Sequence, residues 1–255
     1  MKYILSFSIL AFVFIGCSCK KEDDKTPVTA TETDSAFTST IEISSLDSLQ
    51  ITADHYHVGK DKPVIVLCHQ AGWSRGEYSE IAVTLNSLGF NCLAIDQRSG
   101  GSINGVTNLT NGRATAAGKP TGFNDAKQDI TAAISWAKNY YNQDVILWGS
   151  SYSASLSLVI SNENVDVEKV IVFSPGEFLQ GVNVEAAVTG LNKPAFLSSS
   201  KSEAPGVTDF YTVISSTNKV QFIPTGNGRH GSSALWSSEA DNAEYWVAVK
   251  AFLGV

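Results

Sequence analysis

The stretch Val145-Ile146-Leu147-Trp148-Gly149-Ser150-Ser151-Tyr152-Ser153 constrains the chain more than any other. Four apolar residues suit a strand covered on both faces, Gly149 permits a sharp turn, and small residues followed by Leu156, Leu158, Val159 and Ile160 open a helix. In a strand, elbow and helix of this kind the middle serine is held at the tip. Its hydroxyl stands over the carboxyl end of the sheet, and the following amide points at the same spot. Ser151 is therefore the candidate nucleophile, and the Tyr152 amide one candidate donor to an oxyanion. The pattern is GxSxS where GxSxG is usual, and Ser153 fits the last place because serine is small enough for close packing of helix on strand.

A serine hydroxyl is a weak nucleophile at neutral pH, so it needs a base within hydrogen-bond reach and a further group to fix that base's tautomer. The chain has four histidines. His55, His57 and His69 precede the elbow, whereas a sheet of this topology carries its base on a late loop that follows the acid. That leaves His230, in Gly226-Asn227-Gly228-Arg229-His230-Gly231, where glycines let the loop fold back toward the elbow. For the acid, Glu203 follows a strand at 195–199 and is preferred, with Glu177 and Asp209 as alternatives. The second oxyanion donor is expected from the turn His69-Gln70-Ala71-Gly72-Trp73, chiefly from Ala71, while His69 itself reads as a brace for that turn. His55 and His57 would share one strand face, but no third ligand is near, so neither a metal site nor a cofactor is expected. Cys68 and Cys92 fall in apolar strand runs and read as core thiols without chemistry.

The order of elements is that of an α/β chain. Residues 41–45 and 49–56 read as an antiparallel entry hairpin, followed by strands at 64–68, 92–95, 145–148, 170–173, 195–199 and 220–223. Helical spacing falls at 76–88, ended by Gly89, from Asn124 or Asp125 to Tyr141, after the elbow, and near 207–215 and 239–253. Residues 97–122 show no periodicity and read as a long loop. The expectation is a mostly parallel, doubly wound sheet with an antiparallel N-terminal hairpin.

Residues 1–16 carry Lys2 and then an apolar run too short for a comfortable membrane span, as an export signal does. Phe14-Ile15-Gly16-Cys17 resembles the lipobox of bacterial lipoproteins, which implies acylation of Cys17 and attachment to a membrane through lipid. Residues 17–39 are polar and small and read as a tether, leaving 40–255 as one folded domain. The acidic run Glu22-Asp23-Asp24 resembles the export signal of surface lipoproteins of the Bacteroidetes type, so the expected location is the cell envelope, at the outer membrane, with surface exposure left open. A net charge of −7 argues against nucleic acid as a partner.

With serine, acid and histidine in that order, the chain resembles an α/β-hydrolase of the dienelactone hydrolase-like group over residues 40–255. The resemblance is carried by His69-Gln70-Ala71-Gly72, Asp96-Gln97-Arg98, the Ser151 elbow, Ser174-Pro175-Gly176 and His230-Gly231. Named dienelactone hydrolases use a cysteine nucleophile and usually an aspartate, so Ser151 and Glu203 point to serine esterase relatives. The resemblance implies cleavage of small carboxylic esters, thioesters or lactones through an acyl-enzyme, and makes Asp96 and Arg98 braces for loops. Trp73, Tyr152, Phe178 and Trp236 are candidates to line an acyl or aryl pocket. The rival readings are an inactive binding lipoprotein on the same scaffold and an acyltransferase.

Overall fold

The computed structural model describes residues 34–255, so the expected export signal, Cys17 and most of the tether lie outside the described residues. The chain enters through β1 (Phe37–Ser44) and β2 (Gln50–His57), which pair antiparallel. Because β1 starts at Phe37, the folded part takes in the last residues assigned above to the tether.

Six parallel strands follow in the main sheet: β3 (Val64–Cys68), β4 (Asn91–Ile95), β7 (Val145–Ser150), β8 (Val167–Phe173), β9 (Ala195–Ser198) and β10 (Lys219–Phe222). The order across the eight strands is β1-β2-β4-β3-β7-β8-β9-β10. Every residue of β3, β4 and β7 is buried, since helices cover both faces and leave no solvent side for a polar alternation. Along β3, Val64, Val66 and Cys68 enter one core, with α3 (Lys127–Tyr141), α4 (Tyr152–Glu163), α5 (Val184–Val188) and α6 (Ala204–Val213). Ile65 and Leu67 enter the other, beneath α1 (Ser79–Ser87) and α7 (Asn242–Leu253).

After β3 the chain turns to β4 on one side, and it later returns to β7 on the other. The order of strands therefore reverses between β3 and β7, and the carboxyl ends of those two strands open on the crevice where sheets of this class bind ligands. The turn at 69–73 and the Ser151 elbow leave from these two ends.

Three expectations need correction. Residues 97–122 are not structureless: they hold a small hairpin, β5 (Ser102–Ile103) with β6 (Val106–Thr107), and the helix α2 (Leu109–Ala116). Neither strand is long enough to show alternation, and α2 is set by its N-cap, where the Asn108 side chain accepts from Asn111 N at 2.7 Å. Neither Asn124 nor Asp125 caps α3. A short 3₁₀ turn over Asn124–Ala126 leads into it, and Asp125 instead accepts from Gly122 N at 2.9 Å. The third correction is that α6 runs over Ala204–Val213 rather than near 207–215, which places Asp209 in its middle.

Arg98 is fully buried and held by two carboxylates. Its Nε and Nη2 reach both oxygens of Asp129 at 3.0 and 2.8 Å, and Nη1 and Nη2 reach Asp47 at 3.1 and 2.9 Å. Asp96 is likewise spent on Arg75 and Leu109, so both residues brace loops. Removing one partner of such a pair leaves a charge buried without compensation. Asp129→Ala should lower the free energy of unfolding by about 3 kcal/mol in urea titrations.

Candidate active site

Ser151 sits between β7 and α4 with φ 59 and ψ −123, a conformation that L-residues rarely adopt. Such strain costs about 1–3 kcal/mol and persists only where the surroundings impose it. Here the first turn of α4 lies so close on β7 that a Cβ at Gly149 would stand 2.4 Å from Ser153 O and 2.6 Å from Ala154 Cα. Ser151 N also donates to Phe173 O of β8 at 2.8 Å. Ser153 does more than fit: its hydroxyl accepts from Ser150 N at 2.9 Å and lies 2.7 Å from Cys68 O, tying the elbow to the end of β3. Glycine could not make that tie.

His230 lies on the loop after β10, and its Nδ1 is hydrogen-bonded to Glu203 Oε1. A proton held at Nδ1 by a carboxylate leaves the lone pair on Nε2, as a general base needs. Glu203 is set in a cradle of serines: Ser174 Oγ donates to Oε2 at 2.8 Å, Ser200 Oγ at 2.7 Å and Ser200 N at 3.1 Å. Burial works against its charge, but the hydrogen bonds from His230, Ser200 and Ser174 outweigh it and hold the carboxyl down at about 2. The two alternatives point elsewhere. Glu177 accepts from the amides of Val184 and Glu185 at the start of α5, both at 2.8 Å, and Asp209 is exposed on α6.

No hydrogen bond joins Ser151 Oγ to His230 among the described residues. The two loops meet beside that pair: Ser232 N, two residues on from His230, donates to Ser150 Oγ at 2.9 Å, and a Cβ on Gly231 would lie 2.6 Å from that same oxygen. Gly231 N also donates to Ser174 Oγ at 3.0 Å, so Ser174 joins the acid to the histidine loop. Hydrogen bonds of this kind often tighten only once substrate is bound.

Residues 70–73 close a turn, with Trp73 N donating to Gln70 O at 3.3 Å and Gly72 at φ +75, the geometry that asks for glycine in the third place. Neither Ala71 N nor Tyr152 N is spent on a hydrogen bond among the described residues, and Ala71 is exposed. His69 braces this turn as expected. Its Nδ1 donates to Gln70 O at 2.8 Å, while Nε2 accepts from Gln97 N and Asn108 Nδ2 at 3.1 Å, and burial pushes its pKa down to about 4, so it stays neutral. His55 and His57 both meet the Tyr141 hydroxyl, at 2.6 and 3.0 Å. Cys68 and Cys92 are buried free thiols, whose pKa values burial pushes up.

The aromatic residues divide. Trp73 and Trp236 stack on each other at 5.4 Å, and Phe178 is 41% exposed beside a hollow of about 330 Å³ that it shares with Phe123, Asn124 and Gln180. The Tyr152 ring, in contrast, is fully buried against Phe123, so it belongs to the core and lines no pocket. A larger hollow, about 630 Å³, lies between the start of α3 and the far end of α4, and Asn124 and Asp125 line both it and the smaller one.

A family model described as serine aminopeptidase, S33 (Hydrolase_4), matches residues 59–220, more than half of the sequence. The chain belongs to that family of hydrolases. By sequence no curated protein matches it. Among solved structures, this S33-family chain is similar to an esterase of Pyrococcus furiosus, Pf2001, at 18% identity and a TM-score of 0.68, over 86% of this chain and 92% of that one. It is also similar to a dienelactone hydrolase of Anabaena variabilis, at 15% identity, TM-score 0.65, and 86% and 98% of the two chains. A third is a putative dienelactone hydrolase of Klebsiella pneumoniae, at 12% identity, TM-score 0.64, and 86% and 99%. These likenesses are of fold, and the fold is that of the α/β-hydrolases.

Several residues of the S33-family site carry no obvious mark in the sequence. Ser150, Ser174 and Ser200 are ordinary serines until the loops bring them together. Glu77 is different: it is fully buried, yet it stands on the same stripe as Ile81, Leu85 and Leu88, and a carboxylate at an apolar position of a helix is a signal that could be read. Because the folded state holds Glu203 below its ordinary value of 4.5, its ionisation adds stability above that pH, which is lost as pH falls toward 2. The Tm of Glu203→Gln should therefore fall less steeply than that of the wild type between about pH 5 and 3, followed by circular dichroism.

Proposed function

We propose that this hydrolase cleaves small carboxylic esters through an acyl-enzyme, with Ser151, His230 and Glu203 as its triad. The observation that carries the reading is the His230 Nδ1–Glu203 bond, on a loop folded against an elbow that holds Ser151 at positive φ. Ser151 Oγ attacks the carbonyl carbon while His230 Nε2 takes its proton, and Glu203 fixes the tautomer and steadies the imidazolium. The amides of Ala71 and Tyr152 receive the oxyanion. His230 then protonates the departing alcohol and activates a water that releases the acid, so that no metal or organic cofactor enters. The exposed Phe178 ring and the stacked Trp73–Trp236 pair are the groups this reading offers to an acyl or aryl moiety. The lipobox-like Phe14-Ile15-Gly16-Cys17 supports anchoring of the enzyme to the cell envelope through lipid on Cys17.

The triad is tested by turnover of p-nitrophenyl acetate and butyrate. Ser151→Ala should lose at least about a thousandfold in kcat with an unchanged circular dichroism spectrum. Glu203→Gln should lose about a hundredfold, while Glu177→Gln and Asp209→Asn stay within about threefold. Collapse of Glu177→Gln with Glu203→Gln intact would move the acid to the preceding strand. Product analysis with an added alcohol separates hydrolysis from acyl transfer. For the anchor, Cys17→Ala or globomycin should leave an unprocessed precursor and move the protein out of the membrane fraction, and a mature form cleaved elsewhere would contradict it.

A further inference from the structure

Glu77 is fully buried in the 3₁₀ turn Arg75–Tyr78 that leads into α1, and the triad does not use it. Its carboxyl takes hydrogen bonds from both loops that flank Ser151. Gln70 N, in the turn that carries Ala71, donates to Oε2 at 2.8 Å, and Ser150 Oγ, in the elbow, donates to Oε1 at 2.7 Å. Ser150 Oγ in turn accepts from Ser232 N of the histidine loop, and Trp236 Nε1 of that same loop donates to Glu77 O at 2.9 Å. The Glu77 side chain thus joins the oxyanion turn to the elbow, while the histidine loop reaches it through Ser150 and meets its backbone carbonyl through Trp236. Gln70 N can only donate, so Oε2 accepts, and Ser150 Oγ turns its own proton to Oε1 while it accepts from Ser232 N.

We infer that Glu77 is a positioning residue of this hydrolase: as a carboxylate it locks the turn, the elbow and the histidine loop in register, and its charge supports His230 when imidazolium forms. The inference rests on the serine hydrolase reading above. The other titratable groups facing the carboxyl are the Cys68 thiol of β3, the Tyr78 phenol beside it, the Tyr152 phenol of α4 and His230. Burial foremost, with Glu77 adding to it, pushes the thiol and both phenols up, so these stay neutral. His230 is the one group of this set that can turn cationic. Burial raises Glu77 itself to about 7, against the pull of Ser150, Gln70 and His230. Its charge is therefore gained and lost near neutral pH.

The rate profile then carries, besides the proton that any general base must shed, a second proton on Glu77. The sign for stability is opposite to that of Glu203: a raised carboxyl favours the folded state at low pH, and that contribution is lost as pH rises from about 4.5 through 7.

The test is the rate at which a fluorophosphonate labels Ser151, measured from pH 5 to 9 in the full chain, in Glu77→Gln and in Ser150→Ala, with Tm at each pH. Wild type should show a limb of slope two. Glu77→Gln should fall about tenfold or more on the plateau, drop to slope one, and move its limb to lower pH, because His230 has lost a neighbouring negative charge. Ser150→Ala keeps the charge but loses the bond that lowers Glu77, so its limb should move to higher pH. The Tm of Glu77→Gln should be flatter than wild type between pH 5 and 8. If wild type is labelled at Ser151 and Glu77→Gln keeps its plateau and slope, the inference is overturned while the hydrolase reading stands. If Glu77→Gln does not fold, an unmoved limb in Ser150→Ala overturns it equally. Absence of label at Ser151 in wild type would remove the hydrolase reading and this inference together.

Discussion

The close approach of α4 to β7 at Gly149 is the constraint on which the site depends. No side chain fits there, and the short turn that results forces Ser151 into the left-handed region. The helix then starts with the Tyr152 amide, which has no hydrogen-bond partner among the described residues, and the serine stands past the carboxyl end of β7. That geometry is costly in isolation. It persists because β3, β7 and the end of β8 from Val170 are buried and fix the strand ends, and because Ser153, Phe173 O and Cys68 O tie the elbow to its neighbours.

Around the elbow, three loops meet through serine hydroxyls rather than through apolar contacts. Ser150 links the elbow to the histidine loop, Ser174 links that loop to Glu203, and Ser200 completes the acid's cradle. The hydroxyls of Ser150 and Ser174 each donate once and accept once here, so each fixes two groups in direction as well as distance. Two carboxyls in this small volume feel different surroundings. Glu203, half-exposed and hydrogen-bonded by several donors, is held down at about 2, whereas Glu77, sealed from water, is pushed up to about 7. Environment, not residue type, separates their roles.

Much of this was legible in the sequence, for identifiable reasons. The parallel strands show because a strand buried on both faces must be apolar throughout, as at Val64–Cys68 and Val145–Trp148. His230 stands out by its order after the elbow, and the structure puts Glu203, rather than Glu177 or Asp209, on its Nδ1. The parts that were hidden depend on single polar contacts. The helix over Leu109–Ala116 is set by the Asn108 cap and buries only Thr110 and Ala114, so it has no apolar stripe to read. The helix over Val184–Val188 is too short for any period. The second task of Ser153, and the convergence of Ser174 and Ser200 on one carboxyl, arise from residues far apart in sequence and have no local mark.

The central claim is that strain at the elbow and the paired imidazole make one serine, among the many in this region, uniquely reactive. The most direct measurement is peptide mapping by mass spectrometry after exposure of the intact protein to a fluorophosphonate at pH 8. The account predicts a single phosphonyl adduct, on Ser151, absent when the protein is unfolded in urea before exposure. An adduct on Ser150 or Ser153 instead, or equal labelling of the unfolded chain, would contradict it.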